Sequence, residues 1–158
     1  REDGGGLVAA HEKIVDPLLP AGDIATATYQ DGTTKVLVHS DANELNLPMM
    51  VLVNGNTASA AELFTASLKD FGKAEVIGEQ TFGKGIMQNT FELPDGGAVT
   101  LTVATYQTTK GECYHGVGIT PDVIMEEDYE KVDFDHPNPE QDAQLKQAME
   151  LLQSKISS

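Results

Sequence analysis

The sequence predicts a mixed α/β domain, and three features carry that expectation. A short apolar run turns directly into an amphipathic helix and then a second strand; two pairs of alternating runs are joined by turn residues; and a helical tail follows an acidic stretch. With 158 residues the chain is long enough to bury one core, and 40% hydrophobic with 22% charged residues fits a globular chain rather than a disordered or fibrous one.

After Gly4-Gly5-Gly6, the spacing of Leu7, Ala10, Ile14 and Leu18 predicts a helix ending near Pro17 and Pro20. Ile24 to Gln30 and Thr34 to His39 alternate on either side of Asp31-Gly32, the pattern of a β-hairpin. Met49 to Val53 reads as a strand covered on both faces. Asn54-Gly55 ends it, and a helix then runs from Ala58 to Phe71 with Leu63, Phe64 and Leu68 on one face and Gly72 as its stop. Ala74 to Gly78 completes a strand-helix-strand crossover, and Val51, Val53, Val76 and Ile77 are its expected core. Ile86 to Leu93 and Ala98 to Thr108 form a second hairpin around Pro94-Asp95-Gly96-Gly97. At the end, Asn138 is the expected cap and Pro139 the first turn of a helix whose apolar stripe is Leu145, Met149, Leu152 and Ile156.

The formal net charge of −15, from 10 basic and 25 acidic residues, repels a phosphate backbone, so nucleic acid and anionic membrane are not expected partners. Much of the excess lies between Glu126 and Asp142, the pattern of a solvated face. Cys113 is a single cysteine, and no Cys/His cluster has zinc-ligand spacing. The late carboxylates lack the glycine and spacing of a calcium loop, so neither a metal nor a cofactor is expected. No apolar run approaches the roughly 18 residues of a membrane span.

Ser59 falls where the apolar strand has turned and the helix begins. Unpaired N–H groups at a helix N-terminus can stabilise an oxyanion beside such a serine, yet Ser59 and Glu62 also form a capping box that needs no chemistry. Lys84 stands between Gly83 and Gly85, where other backbone can approach closely; burial there disfavours an ammonium and makes a general base, whereas a loop lysine in water does nothing. Gly78 to Lys84 also fits the first seven positions of a phosphate-binding loop. Gly85 occupies the Ser/Thr position, however, and a strand pattern follows, so nucleotide binding is not expected. His11, His39, His115 and His136 are scattered and have no partners in sequence.

Taken in order, Val53 to Glu62, Gly78 to Gln88, Asp95-Gly96-Gly97 and Gly116 to Val123 resemble the motifs of carboxyl-terminal processing (tail-specific) peptidases, and Arg1 to Leu7 is similar to that family's glycine-rich oxyanion loop. The resemblance implies a β-α spiral of the Clp protease/crotonase type, with Ser59 as nucleophile, Lys84 as general base and Gln88 orienting the lysine. It implies oxyanion donors at the backbone N–H of Ala60 and of Gly5 or Gly6. Asp3 stands where the family commonly has Asn, and Thr109-Lys110 replaces a proline-containing turn.

On this reading residues 1–125 are a serine peptidase core lacking its N-terminal strand and any PDZ domain, and residues 126–158 are an acidic connector and C-terminal helix. The expected activity is cleavage of unstructured protein C-termini through an acyl-enzyme, in an exported protein. The alternative is a ligand- or peptide-binding module of the same fold without catalysis, or an inactive fragment of the peptidase. With no strand upstream to hold it, the segment Arg1 to Gly6 is expected to depart from the family's oxyanion arrangement.

Overall fold

The computed structural model describes residues 1–41 and 43–157. Helix α1 (Val8–Val15) passes into a 3₁₀ turn over Asp16–Leu18, where Pro17 has no N–H with which to continue it. Strands β1 (Gly22–Tyr29) and β2 (Thr34–Ser40) make the first antiparallel hairpin. Strand β3 (Met49–Val53), helix α2 (Ala60–Asp70) and strand β4 (Ala74–Gly78) make the crossover, with β3 and β4 parallel and Val51 opposite Val76. Strands β5 (Ile86–Glu92) and β6 (Ala98–Thr108) form the second hairpin, Val123–Ile124 is a short strand β7, and helix α3 is Ala143–Ile156.

The predicted mixture of pairings is divided between two sheets, an antiparallel one in the order β2-β1-β6-β5 and a parallel one in the order β3-β4-β7. Helix α2 contributes Leu63, Ala66 and Leu68 to a core with Ile24, Ala25 and Ala27 of β1, Val38 of β2, and Ala104 and Tyr106 of β6. Burying each large aliphatic side chain there stabilises the fold by about 1.5–3 kcal/mol. Since α2 is both the crossover and a core element, its N-terminus is held rigidly at the end of β3.

Three expectations are corrected. Strand β3 is buried less completely than its apolar run suggests: it lies at an edge of its sheet, with Val53 fully buried and Met49 to Leu52 half-buried. Helix α3 starts at Ala143 rather than near Asn138, because Asp142 is the better cap. Its carboxylate accepts the Leu145 N–H at 2.8 Å and is also ion-paired to Arg1, whereas Asn138 only caps a turn through the Glu140 N–H. The inward face of α3 is Gln144 and Ala148, leaving Met149 and Ile156 exposed, because the Gln144 amide donates to Met125 O and to Tyr129 Oη. Among the described residues no helix is long and apolar enough to cross a membrane.

Candidate active site

The chain leaves β3 through a tight turn in which Thr57 N–H donates to Asn54 O at 2.9 Å and Asn54 N–H donates to Thr57 Oγ1 at 3.1 Å. Ser59 follows, half-buried, with φ +59° and ψ −122°, as the residue preceding α2. A non-glycine residue in this region costs about 1–3 kcal/mol and persists only where its surroundings enforce it. Here they do. Ser59 N–H donates to Glu62 Oε2 at 2.9 Å, the carboxylate half of the capping box, while its hydroxyl lies 3.5 Å from Tyr106 Oη.

Glu62 is fully buried, and the capping box accounts for one of its four hydrogen bonds. Oε1 accepts Thr81 Oγ1–H and the Gly83 N–H, both at 2.6 Å, and Oε2 accepts the Lys84 N–H at 2.7 Å. Four donors offset the cost of burying the charge. They also fix the start of α2 to the loop that carries Lys84, so the backbones of Ser59 and Lys84 are brought to one carboxylate oxygen.

Thr81 Oγ1 accepts the Ile119 N–H at 2.7 Å, tying the same loop to the Gly116 to Val123 segment. Gly83 has φ +91°, and a Cβ there would stand 2.9 Å from Gly118 N; the close backbone approach expected beside Lys84 is present. Lys84 itself is half-buried, and its carbonyl accepts Tyr106 Oη–H at 2.9 Å. A strand follows it, not the helix that a phosphate-binding loop opens, in keeping with the rejection of nucleotide binding. Gln88 is exposed on β5 beside a bulge between Met87 and Gln88, and among the described residues its side chain makes no hydrogen bond to Lys84.

The Arg1 to Gly6 segment is anchored, contrary to the reason given for expecting it to stray. Arg1 N donates to Leu52 O at 2.9 Å, and the guanidinium donates to Asp142 Oδ1 at 2.9 Å. Glu2 N–H donates to Asn54 Oδ1 at 3.1 Å, and the Glu2 carboxylate accepts from the amides of Asn54 and Asn56. These amide hydrogen bonds hold the Glu2 carboxyl below its usual range. Ala58 N–H donates to Asp3 O at 2.9 Å.

This places Gly5, at φ +88°, against the serine: a Cβ there would stand 2.6 Å from Ala58 O, 2.7 Å from Ala60 N and 2.8 Å from Ser59 Cβ. Gly5 N–H is occupied by Asp3 Oδ1 at 2.9 Å. Among the described residues the Gly6 N–H has no such internal acceptor, and Ala60 N–H, first in α2, has no helical carbonyl to bond. Beside this junction runs a groove of ≈ 370 Å³, lined mainly by apolar groups including Leu7, Ala10, Ile14, Ala61 and Phe64. His11 also borders it. Burial pushes its pKa down to about 4, against a smaller opposing effect of the Leu63 carbonyl.

Sequence reasoning singled out Ser59 and Lys84 but missed Tyr106 and Thr81 and took Glu62 only as a cap. The alternation of β6 marks Tyr106 as inward-facing; nothing local shows what its hydroxyl meets.

The model of peptidase family S41 matches residues 1–125. The chain is 36% identical over 152 residues to a carboxyl-terminal-processing protease of Synechocystis, covering 96% of this chain and 35% of that protein. It is 38% identical over 136 residues to the carboxy-terminal processing protease CtpA of Bacillus subtilis, covering 85% of this chain and 29% of that protein. The solved photosystem II D1 C-terminal processing protease superposes with a TM-score of 0.73 at 38% identity, over 80% of this chain and 33% of that one. The chain thus spans about a third of the length of the curated relatives it matches. With the family model and these relatives each covering most of the chain, the chain belongs to peptidase family S41.

Proposed function

We propose that this chain carries the catalytic centre of a serine endopeptidase that cleaves protein substrates near their C-termini, with Ser59 as nucleophile and Lys84 as general base. The observation that carries the reading is the strained Ser59 backbone at the start of α2, held between Gly5 and Glu62. Strain of this kind is maintained where a side chain must be presented at a sharp strand-to-helix turn.

In acylation, Ser59 Oγ attacks the scissile carbonyl carbon and its proton passes to the Lys84 amine. The carbonyl oxygen becomes an oxyanion that accepts hydrogen bonds from Ala60 N–H and Gly6 N–H. Gly5 is the weaker candidate because its N–H is already engaged by Asp3. Collapse breaks the C–N bond, and Lys84 returns the proton to the departing amine. Water then attacks the ester and gives a proton to Lys84; the C–Oγ bond breaks, the new C-terminal carboxyl leaves, and Lys84 returns the proton to Ser59 Oγ. Gln88 is proposed to orient the lysine once substrate covers β5 and removes the glutamine from solvent.

The apolar groove between α1 and α2 receives the side chain beside the scissile bond. β5 is an edge strand beginning two residues after Lys84, free to add an extended peptide as a further strand. An unstructured protein end fits that geometry, and by analogy with the family the whole protein acts outside the cytoplasm.

The test is single-turnover cleavage of a peptide with a free, apolar C-terminus by the full-length protein, Ser59→Ala, Lys84→Arg and the double variant. Each single change should abolish cleavage, and the double should cost little more, because members of a catalytic unit are not additive. Guanidinium keeps the charge without becoming a base, so near-normal cleavage by Lys84→Arg sinks the dyad.

A further inference from the structure

Tyr106 lies in β6, outside the motifs used above, yet its hydroxyl stands between the two residues assigned to the chemistry. The residue is 2% exposed, its Oη donates to the Lys84 carbonyl at 2.9 Å, and Oη lies 3.5 Å from Ser59 Oγ. Its ring packs edge-on against Tyr114, centroids 6.1 Å apart, and its N–H donates to Gly85 O at 3.0 Å. Backbone and ring are thus both fixed. A phenol has one O–H. Because that proton goes to the Lys84 carbonyl, Oη can only accept from the serine, and Ser59 must be the donor. Burial raises the pKa of Tyr106, so the phenol keeps its proton at neutral pH.

We infer that Tyr106 is a positioning residue for acylation: its Oη accepts the Ser59 hydroxyl proton in the resting site and ties the Lys84 backbone to the same point. The inference rests on Ser59 being the nucleophile. A serine hydroxyl has three staggered positions, and an acceptor at one of them keeps Oγ in place until the substrate carbonyl arrives. At 3.5 Å the contact is loose, as unliganded catalytic hydrogen bonds often are, and it tightens when substrate closes the site. During acylation the Ser59 proton leaves for the Lys84 amine, while the phenol retains its own; Tyr106 is neither acid nor base.

The experiment uses the full-length protein, its Tyr106→Phe and its Ser59→Ala variants. It measures the rate at which a fluorophosphonate labels the active-site serine, with loss of fluoride, together with kcat and KM for peptide cleavage. Phenylalanine keeps the ring and its packing and removes Oη. Labelling and kcat are both expected to fall by about tenfold to a hundredfold, with KM within about twofold of wild type, since the contact affects the reacting hydroxyl and not substrate binding. Wild-type labelling by Tyr106→Phe alongside an unlabelled Ser59→Ala overturns the role of Tyr106 and leaves the nucleophile standing. Wild-type labelling of Ser59→Ala overturns the nucleophile and the inference with it.

Should Tyr106→Phe lose its cooperative melt, 3-fluorotyrosine incorporated at Tyr106 replaces it. The fluorinated phenol ionises at lower pH and its phenolate cannot donate to Lys84 O, so labelling should decline at a lower pH than in wild type. An alkaline limb that the fluorine does not move overturns the inference.

Discussion

Glu62 Oε2 accepts the Lys84 N–H at 2.7 Å from the first turn of α2, with Lys84 on the loop ahead of β5. One buried carboxylate therefore sets the separation between the helix that begins after Ser59 and the loop that carries the lysine. Glu62→Gln should expose what this is worth. An amide presents two N–H groups where four donors converge, so at least one donor loses its acceptor and meets another N–H. We predict a loss of about 2 to 4 kcal/mol in urea unfolding and at least a tenfold fall in cleavage. An unchanged denaturation midpoint would remove Glu62 from this role.

The backbone of Ser59 gives a second prediction. At φ +59° alanine keeps the strain and glycine relieves it. Both Ser59→Ala and Ser59→Gly should be inactive, but the glycine variant should be the more stable by about 1 to 2 kcal/mol, although glycine ordinarily costs chain entropy. Equal denaturation midpoints for the two would show that the serine backbone is not strained in solution.

His11 sets a pH dependence separable from that of the carboxylates. It is 4% exposed, and burial lowers its pKa from 6.5 to about 4. Below pH 6.5 the unfolded chain takes up a proton that the folded chain refuses, so its contribution is full above 6.5 and is lost as pH falls from 6.5 to about 4. That amounts to about 3 kcal/mol. Glu2, Asp122 and Asp142, whose pKa values are also lowered, act only below their unfolded values near 4. For Asp142, burial opposes ionisation but the Arg1 guanidinium and the Leu145 N–H outweigh it. His11→Leu should flatten the stability curve between pH 6.5 and 4 and leave its acid end alone; urea titrations at half-unit steps check this, and an unaltered slope would place His11 in water.

What the sequence made legible is what local rules encode. Met49 to Val53, the turn and the stripe of Leu63 and Leu68 specify the crossover, and Asp31-Gly32 and Asp95-Gly96 mark both hairpins. The start of α3 was misread because Asn138-Pro139 is a sound local signal, while Asp142 gains its advantage from Arg1 at the other end of the chain. Gln144 faces inward for a similar reason: its partners Met125 O and Tyr129 Oη come from a preceding loop that periodicity does not see. At the site, residue type alone left Ser59 equally a helix cap and Lys84, between its two glycines, equally a loop lysine; the ordered motifs resembling the family singled them out. The carboxylate and the phenol that join them were not singled out, since each acts through partners about twenty to fifty residues away in sequence.

Gly5 and Gly6 separate the steric role of the glycine loop from its chemistry. Gly5 combines φ +88° with three close neighbours, Ala58 O, Ala60 N and Ser59 Cβ, whereas a Cβ on Gly6 meets nothing within 4 Å. A methyl group at residue 5 must push the loop away from the start of α2, carrying the Gly6 N–H out of line with that of Ala60. Residue 5 is exposed and outside the core, so the displacement should leave the fold in place. Gly5→Ala is therefore expected to lower kcat at least a hundredfold, the scale of losing an oxyanion donor, with a melting temperature within a few degrees of wild type. Gly6→Ala keeps its N–H and has room for its methyl, so it should retain most activity. Steady-state kinetics and thermal melts of the two variants side by side decide the matter: equal activities would mean that the loop does not shape the site, and a greater loss from Gly6→Ala would mean that its side-chain position, not its N–H, faces the substrate.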